Sequence, residues 1–582
     1  MSEGWFEERK CKMKRDLQFF EGPQIGSIQQ MLLSSAARFG DKVALEDLNA
    51  TPIQKVTFRS LLDNVVKFGS ALRELGVRER DHVAMISENR VQWSISYLAC
   101  MLFNYVAVPV DKNLGVNEIL NILHESEASS IIFSEAYESM LREKGSSLKH
   151  LKYFISMDLK RHEDGFYSMT EMIGKTPALD TNELPSVNPD EMAVIIFTSG
   201  TLGRAKGVML SQGNIASNLT AMVRMFGIFP TDSFLSVLPI HHTYECTCGM
   251  LCPLYGGASV HYARSLKTIV EDLQRVKPTI LLGVPLLYDK MFKAIYRGIK
   301  EKKLVAPIIR PMIRATDLLA KVGWKSSKRV VFNEIHHKFG GSIRCFIAGG
   351  AAPDPNVARG LREFGFGFVQ GYGLTETSPI LALNRLDYFK DNAAGLPLEH
   401  VEIRIADKSA EGIGEVYARG PNVMLGYYKN EDATKSTFED GWFKTGDMGF
   451  MDEDGFLHIS GRKKNVIISK NGENVFPEEI EDVLNRSPYL LESMVYGESD
   501  QKQGEIIAAQ VVVDAEAFIE LSESKRIQIT PELIHKVVDE EVQKVNHDLP
   551  AFKQIKKFVI REEEFQKTTT QKIKRFTVGT EN

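Results

Sequence analysis

The chain has few cysteines and no apolar run typical of a secretory signal or a membrane span. Six cysteines among 582 residues are too few to cross-link a chain of this length, which favours a reducing compartment. Residues 1–20 mix Glu, Lys and Arg and contain no apolar stretch, so a secretory signal is not expected. The most apolar window, residues 95–110, is interrupted by Asn104 and Pro109. A cytoplasmic location is therefore predicted.

The chain also lacks an excess of charge of one sign. Its 71 basic and 76 acidic side chains leave a net charge of −5, so no general attraction to nucleic acid is expected. Hydrophobic residues make up 43% and charged residues 25%, which is normal for a globular protein. The length of 582 residues suggests about three or four domain-sized units.

Apolar runs alternate with helical patterns over much of the chain. Strands are predicted at residues 82–87, 106–110, 129–134, 234–238, 279–284, 343–348 and 366–370. Helices are predicted between them at 90–105, 116–127 and 268–276. This alternation is typical of parallel βαβ units whose sheets are covered on both faces.

The pattern changes after about residue 393. Short runs at 401–405, 414–419 and 455–460, separated by Gly, Asp and Asn, predict a small antiparallel β unit. Beyond it, helices are predicted at 477–485 and 531–546 and strands at 493–497 and 506–513. The sequence thus predicts an α/β protein with two domains. A large N-terminal domain, 1–462, contains the βαβ-type sheets and the small β unit, and a smaller α/β domain spans 463–582.

The densest group of chemically useful side chains lies at residues 197–208, which read FTSGTLGRAKGV. They follow an apolar run at 192–197 that predicts a buried strand. Glycines allow backbone N–H groups to surround an anion, hydroxyls add donors, and a lysine adds a mobile positive charge. The spacing is not that of the P-loop NTPases. Either a phosphate-binding loop or a polar surface turn fits this segment taken alone.

Further motifs follow this loop in order. They are LPIHHTYE at 238–245, GGAAP at 349–353, GYGLTE at 371–376, GWFKTGD at 441–447, Gly461-Arg462, and KTTTQKIKR at 567–575. Together they resemble the adenylate-forming superfamily, which includes acyl- and aryl-CoA synthetases, firefly luciferase and the adenylation domains of peptide synthetases. The LPIHHTYE segment and a basic insertion near 297–329 are most similar to the long-chain fatty acyl-CoA synthetases.

The resemblance implies an acid–thiol ligase that uses ATP, Mg²⁺ and CoA. A fatty carboxylate attacks the α-phosphorus of ATP to give acyl-AMP and pyrophosphate, and a thiol then displaces AMP to give a thioester. Such an enzyme must bring anions together and neutralise charge on the phosphoryl oxygens. Two alternatives stay open. The acyl group could pass to the phosphopantetheine of a separate carrier protein, or the chain could be a nucleotide-binding scaffold that has lost turnover.

The resemblance also implies residue roles in the large domain. The phosphates of ATP would contact Thr198, Ser199, Gly200, Thr201 and Lys206, in a loop where Ala205 replaces the usual proline. Glu376 would hold Mg²⁺, which takes few carboxylates beside phosphate and water; its alternative is to cap a helix. Tyr372 would stack against the nucleotide base, with Tyr372 as plain core the alternative, and the turn at 349–353, with Gly350 and Ala351, would line the base pocket. Gly371 and Thr375 are further implied cofactor-binding residues.

Residues that bind the ribose and a lysine near the C-terminal end of the sequence complete the implied site. Asp447 would accept hydrogen bonds from both ribose hydroxyls, beside Arg462, although Asp447 alone could be an ordinary loop aspartate. Lys572 would contact the α-phosphate and the substrate carboxylate, in a segment where Gln566 and Gln571 replace the family's Pro and Gly; a solvated basic tail is the alternative.

The smaller domain is implied to rotate between the two steps. Lys464 would be the hinge. The loop with Lys470, Gly472 and Glu473 would then line the pantetheine tunnel.

His242 is implied to lie where the acyl group meets the α-phosphate, as a gate. The pair His241–His242, with Cys246, Cys248 and Cys252, suggests a zinc site, but the cysteine spacing lacks a Cys-x-x-Cys pair and the run is apolar and helical in pattern. Buried free cysteines are the favoured interpretation.

The segment 297–329 contains ten Lys or Arg residues against two acidic ones, interleaved with apolar side chains. A solvated helix pair is one interpretation, with Pro307 and Pro311 expected to break the helix. A surface that touches anionic lipid, making the protein peripheral to the membrane, is the other.

Overall fold

The computed structural model describes residues 17–177, 179–198, 205–302, 307–324, 326–469, 472–500, 504–567 and 573–575. Two compact units are present. The first comprises the described parts of residues 1–402, 418–443 and 454–456, and the second those of 403–417, 444–453 and 457–582. The position of the domain boundary after residue 462 stays a prediction.

A nine-stranded sheet forms one layer of the first unit. Its strands, in spatial order, are Leu396–Pro397, Ile380–Leu383, Gly367–Gly373, Cys345–Ala348, Ile280–Gly283, Ser233–Ser236, Ser259–Tyr262, Val43–Asp47 and Gln54–Thr57. The six strands from Gly367–Gly373 to Val43–Asp47 run parallel, and antiparallel strands flank them on both sides. The predicted parallel arrangement is confirmed here.

An eight-stranded sheet forms the other large layer of this unit. Its strands are, in order, Gly426–Tyr427, Lys206–Ser211, Met192–Thr198, Val106–Pro109, His82–Ile86, Ser130–Phe133, Tyr153–Ser156 and Phe166–Ser168. The six strands from Met192–Thr198 onward are parallel. Their central members are buried on both faces, which is why they appear in the sequence as continuous apolar runs.

Helices cover the sheets of the first unit. They are Ile28–Phe39, Phe58–Leu75, Val91–Leu102, Val116–Glu125, Glu138–Lys144, Met169–Lys175, Gln212–Phe226, Cys252–Gly256, Ile269–Val276, Pro285–Glu301, Ile309–Lys321, Ser327–Val331, Asn333–Lys338, Pro355–Glu363 and Glu431–Thr437. A π-helix, Tyr244–Leu251, precedes Cys252–Gly256. The described residues include no helix that is both long and apolar enough to cross a membrane.

Pro311 is a correction to the sequence analysis, since it was expected to break a helix and instead lies inside Ile309–Lys321. It occupies the first turn, where backbone N–H groups have no partner within the helix, so its missing N–H removes no helical hydrogen bond.

The second unit contains most of the small β unit and the C-terminal part of the chain. Its strands Glu402–Ala406, Gly414–Arg419, Trp442–Met451 and Leu457–Arg462 belong to a five-stranded sheet whose fifth strand, Phe438–Glu439, lies within the residues of the first unit. A two-stranded hairpin, Ile467–Ile468 with Asn474–Val475, follows it. A three-stranded sheet, Leu490–Asp500, Gly504–Val513 and Lys557–Arg561, packs with helices Pro477–Leu484 and Pro531–Asp548 around one apolar core. Helix Ala515–Lys525 packs against Pro531–Asp548 in a separate apolar cluster.

Candidate functional site

A β-hairpin presents the predicted phosphate-binding residues. Strand Met192–Thr198 pairs with Lys206–Ser211 in antiparallel register, with Thr198 opposite Lys206. The Thr198 hydroxyl donates to the Lys206 carbonyl oxygen at 3.5 Å. Ser199, Gly200 and Thr201 lie outside the described residues. The hairpin therefore places Thr198 and Lys206 directly opposite each other on its two strands.

Tyr427 joins Lys206 to Glu376. The Tyr427 hydroxyl donates to Glu376 Oε1 at 3.0 Å, and the Lys206 ammonium nitrogen lies 4.8 Å from the centre of the tyrosine ring. The short strand Gly426–Tyr427 pairs with Lys206–Ser211, which fixes the ring beside the lysine. Sequence reasoning missed Tyr427, because a two-residue strand has no periodic signal and a tyrosine in a turn-rich stretch is unremarkable.

The turn that carries Glu376 is held by buried amide side chains. Glu376 lies in the short 3₁₀ turn Thr375–Thr377, and its own carbonyl accepts the Met424 N–H at 2.8 Å. Buried Asn422 donates to the Thr377 carbonyl at 2.9 Å, and buried Asn218 donates to the Ile380 carbonyl at 2.7 Å. The backbone on both sides of Glu376 is thus fixed, which limits where its carboxylate can point.

Glu376 is suited to bind a hard divalent cation. Glu376 is partly exposed, and the hydroxyl of Tyr427, whose ring also lies against Lys206, orients its carboxylate. Mg²⁺ is commonly held by one or two protein carboxylates, with phosphate oxygens and water completing six ligands. The arrangement around Glu376 fits that requirement.

The remaining predicted nucleotide residues of the first unit lie at strand ends. Gly350 and Ala351 are exposed directly after strand Cys345–Ala348, and Gly350 has φ of +87°, a conformation that favours glycine. Gly371 and Tyr372 lie near the end of strand Gly367–Gly373. Both strands belong to the parallel part of the nine-stranded sheet, and the carboxyl ends of such strands are where α/β proteins bind ligands.

His241 and His242 follow another strand of the same sheet, Ser233–Ser236. Their rings lie 4.3 Å apart between centres. The three cysteines that follow, Cys246, Cys248 and Cys252, are buried and unbridged, as are Cys100 and Cys345. Burial raises the pKa of the Cys246 thiol, so it stays protonated. The interpretation as buried free cysteines is confirmed for these five; Cys11 lies outside the described residues.

In the second unit, Asp447 and Arg462 are partners on neighbouring strands. They are directly opposite in the antiparallel pair Trp442–Met451 and Leu457–Arg462, and Arg462 Nε lies 2.8 Å from Asp447 Oδ1. Asp447 is buried, and its N–H donates to the Thr445 hydroxyl at 3.1 Å. A buried carboxylate held by a guanidinium has a fixed orientation, and its two oxygens are suited to accept hydrogen bonds from a diol.

The predicted hinge and CoA-side residues adjoin this sheet. Lys464 lies in the turn Lys463–Asn465 immediately after strand Leu457–Arg462. Desolvation of its ammonium group, with the Arg462 and Arg575 guanidiniums nearby, lowers the pKa of Lys464. Gly472 has φ of +79°, and the Glu473 N–H donates to the Ser469 hydroxyl at 3.1 Å, within the hairpin that follows. Lys470 lies outside the described residues.

Lys572 also lies outside the described residues, but its flanks are described. Lys567 and Ile573 form an antiparallel bridge, and the Lys574 N–H donates to the Gln566 carbonyl at 2.8 Å. Lys567 is held by Glu492 at 2.6 Å and by Glu564 at 3.0 Å, so this neighbouring lysine is engaged in ion pairs within the unit.

Comparison with known proteins agrees with these features. The AMP-binding enzyme family model matches residues 32–428, and the AMP-binding enzyme C-terminal domain matches residues 479–572. Long-chain-fatty-acid–CoA ligase FadD15 of Mycobacterium bovis is 29% identical over 87% of this chain and 88% of its own length. The chloroplastic long-chain-fatty-acid–[acyl-carrier-protein] ligase AEE15 of Arabidopsis thaliana is 28% identical over 81% of this chain and 75% of its own.

Solved structures share the fold. The anthranilate CoA ligase AuaEII, in complex with anthranoyl-AMP, superposes with a TM-score of 0.77 at 21% identity, covering 95% of this chain and 97% of that one. A fatty acyl CoA synthetase of Mycobacterium tuberculosis gives a TM-score of 0.65 at 22% identity over 95% and 97% of the two chains. With family models matching most of its length, the chain belongs to the family of AMP-binding enzymes.

Proposed function

We propose that this enzyme activates a long-chain fatty acid with ATP to give acyl-AMP and pyrophosphate, and then transfers the acyl group to CoA. The observation that carries the proposal is the contact of Tyr427 with both Glu376 and Lys206, since Lys206 begins the strand that follows the glycine-rich segment 199–204 in sequence. That cluster offers a cation ligand and a positive charge, and the sequence just before Lys206 adds hydroxyl and glycine residues, which together are what binding a nucleoside triphosphate requires.

Each predicted residue then has a task. Lys206, Thr198 and the segment 199–204 hold the β- and γ-phosphates. Glu376 holds Mg²⁺, which as a Lewis acid lowers the charge on the phosphoryl oxygens.

The remaining tasks are binding and positioning. Tyr372 and the turn at 349–353 contact the base. Asp447 binds the ribose, with Arg462 beside it, and Lys572 contacts the α-phosphate and the substrate carboxylate. His242 gates the acyl group.

The domain arrangement forms part of the same proposal. The chain divides into an AMP-binding domain, 1–462, and a mobile domain, 463–582, with Lys464 as the hinge. Lys464 immediately follows a regular strand, and element ends of this kind are where rotations are absorbed. Lys470, Gly472 and Glu473 line the CoA side in the second step. The cytoplasmic location likewise stays a prediction.

The test is pyrophosphate release with ATP, Mg²⁺ and saturated fatty acids of increasing length, with and without CoA. We expect the rate to peak at long chains and acyl-CoA to form when CoA is added. No pyrophosphate with any acid, while ATP still binds, would contradict the proposal and favour a scaffold without turnover. Faster acyl transfer to a holo-carrier protein than to free CoA would favour the carrier-protein alternative, which the name of the Arabidopsis relative supports.

A second proposal concerns the basic segment 297–329. On helix Ile309–Lys321 and its C-terminal end, an exposed stripe of Arg310, Arg314, Leu318 and Val322 repeats every four residues, which is the spacing of one helix face. Leu318 is 64% and Val322 74% exposed, and Trp324 beside them is 49% exposed. A face that combines cationic and exposed apolar side chains fits an anionic lipid surface, at about 1 kcal/mol for each Lys or Arg near it.

Vesicle binding tests this surface. Phosphatidylglycerol vesicles should co-sediment with the protein and shift Trp324 fluorescence to shorter wavelength, whereas phosphatidylcholine vesicles should not. Leu318→Gln should weaken binding, and Ile519→Gln, at an exposed apolar position on another helix, should not. Equal binding to both vesicle types, or no effect of Leu318→Gln, would contradict the proposal.

A further inference from the structure

Asp111, His241 and His242 form a cluster of potential metal ligands that Mg²⁺ and nucleotide binding do not explain. Each offers one ligand atom, and the three atoms lie within 4.8 Å of one another. Asp111 follows strand Val106–Pro109 of the eight-stranded sheet, and the histidines follow strand Ser233–Ser236 of the nine-stranded sheet. The cluster therefore forms where strand ends of two sheets approach, a position at which α/β proteins bind ligands.

The geometry of the first two ligands suits a tetrahedral metal. His241 Nε2 lies 3.3 Å from Asp111 Oδ1. Two ligand atoms that each lie about 2.1 Å from a tetrahedral Zn²⁺ are about 3.4 Å apart. The ligand atom of His242 lies within 4.8 Å of the other two. To reach the tetrahedral separation it must move by at most about 1.4 Å, which rotation of the side chain can supply.

The buried ring nitrogen Nε2 of His241 faces the Asp111 carboxylate without forming a hydrogen bond to it. The residue is 5% exposed, and its Nε2 forms no hydrogen bond with the described residues even though the carboxylate oxygen is at ion-pair distance. A buried polar nitrogen left without a hydrogen bond is unfavourable by about 1–3 kcal/mol. A metal ion bonded to both atoms would remove that penalty.

The surrounding backbone holds the ligands in place. The Asn113 N–H donates to Asp111 Oδ1 at 2.9 Å, which orients the carboxylate. The Asn89 side chain accepts from the Ile240 N–H at 3.1 Å and donates to the Leu238 carbonyl at 2.7 Å, so it fixes the chain just before His241. Contacts of this kind around the ligands raise metal affinity.

We propose that Asp111, His241 and His242 bind a divalent transition metal of the zinc type, leaving one position open for water or an anionic ligand. Two imidazoles and one carboxylate favour Zn²⁺ or Co²⁺ over Mg²⁺, which prefers oxygen ligands. The site differs from the one rejected in the sequence analysis, since the third ligand is an aspartate about 130 residues away and not a cysteine.

Metal binding should also inhibit turnover, a consequence that rests on the proposed function. If His242 gates the acyl group, a metal bound to it occupies the space into which the carboxylate and the α-phosphate must enter. The inhibition should then follow the occupancy of the metal site.

Absorption of Co²⁺ provides the direct test, with the full chain freed of metal by a chelator and no nucleotide present. We expect one Co²⁺ per chain, with the strong visible bands of four-coordinate cobalt, displaced by Zn²⁺ and not by millimolar Mg²⁺. Asp111→Asn and His241→Asn should each weaken binding at least tenfold. His458→Asn should not, although His458 also contacts an aspartate, Asp452, at 2.9 Å.

Unchanged Co²⁺ affinity in both ligand variants, or no visible bands, would overturn the proposal. If one variant fails to fold, judged by thermal unfolding, His242→Asn takes its place in the comparison. Inhibition of acyl-AMP formation by Zn²⁺ should have its midpoint at the measured dissociation constant. Binding as expected with no inhibition would uphold the metal site and contradict the placement of His242 beside the substrates.

Discussion

The Tyr427 hydroxyl donates a hydrogen bond to the Glu376 carboxylate at 3.0 Å, while the same ring lies beneath the Lys206 ammonium group. One tyrosine thus touches both the carboxylate proposed to hold Mg²⁺ and the lysine proposed to hold phosphate. Its role is to position these groups, since the phenol itself is not proposed to contact reacting atoms.

Tyr427→Phe should therefore impair nucleotide use without unfolding the protein. Loss of a hydrogen bond to the carboxylate should lower kcat/KM for ATP about tenfold, equal to about 1.4 kcal/mol. The Mg²⁺ dependence should shift to higher concentration, which a purely structural role would not cause.

Tyr428→Phe is the matched control, because the Tyr428 hydroxyl contacts exposed Glu127 at 3.4 Å instead. An unchanged Mg²⁺ requirement in Tyr427→Phe, or an equal effect of the two substitutions, would contradict this positioning role.

Lys572→Ala should separate the two half-reactions. Removing a positive charge from the developing transition state typically reduces the rate about 100- to 1000-fold, so acyl-AMP formation should fall by this order. Thioester formation from synthetic acyl-AMP and CoA should survive. Lys567→Ala is the control, because Lys567 already pairs with Glu492 and Glu564. An equal loss of both half-reactions in a folded Lys572→Ala variant would show that this lysine does not act in adenylation.

Asp447→Asn should weaken ATP binding. The amide presents one acceptor where the carboxylate presents two, and it no longer pairs with Arg462 as a charge. We expect KM for ATP to rise about tenfold, which corresponds to about 1.4 kcal/mol. Asp452→Asn, which alters the aspartate partner of His458, should leave KM for ATP unchanged. Similar changes in the two variants would argue against a ribose contact at Asp447.

Glu245 should make stability depend on pH. The residue is 1% exposed in the π-helix, and burial raises the pKa of its carboxyl to about 8. The folded protein therefore retains a proton that the unfolded chain releases near pH 4.5. This difference in proton binding stabilises the folded protein, since it raises the free energy of unfolding. The contribution is fully present below pH 4.5 and is lost progressively as pH rises to about 8.

Glu245→Gln removes this titration and keeps the size of the side chain. Between pH 5 and pH 9, the free energy of unfolding of Glu245→Gln should increase relative to that of the parent protein by an amount on the order of a few kcal/mol. Its melting temperature should rise accordingly over the same range. Glu334→Gln, at an exposed helix position, should show no such rise. A pH-independent difference between Glu245→Gln and the parent would mean that Glu245 ionises normally.

The strands of the large sheets could be predicted because they are buried on both faces. His82–Ile86, Val106–Pro109 and Ser130–Phe133 each lie within the predicted runs, since their composition is nearly all apolar. Helix Ile309–Lys321 was harder to predict from the sequence. A proline in the first turn resembles a helix break in the sequence, but in the structure it removes no helical hydrogen bond.

Residues of the candidate site could be predicted from the sequence only where they belong to a short recognisable motif. Glu376, Asp447 and Arg462 lie in such motifs and were named from sequence. Tyr427 and Asp111 were not, because each meets its partners through strand pairing or sheet packing between distant parts of the chain. Hydrophobic periodicity along the chain does not show contacts between residues that are distant in sequence.

The products of ATP cleavage test the central claim most directly. The protein is incubated with ATP, Mg²⁺, CoA and a long-chain saturated fatty acid, and the nucleotides and phosphates are separated. We expect AMP, pyrophosphate and acyl-CoA in equal amounts, with AMP release depending on the fatty acid. Formation of ADP and phosphate, or cleavage of ATP that is independent of the fatty acid, would contradict it.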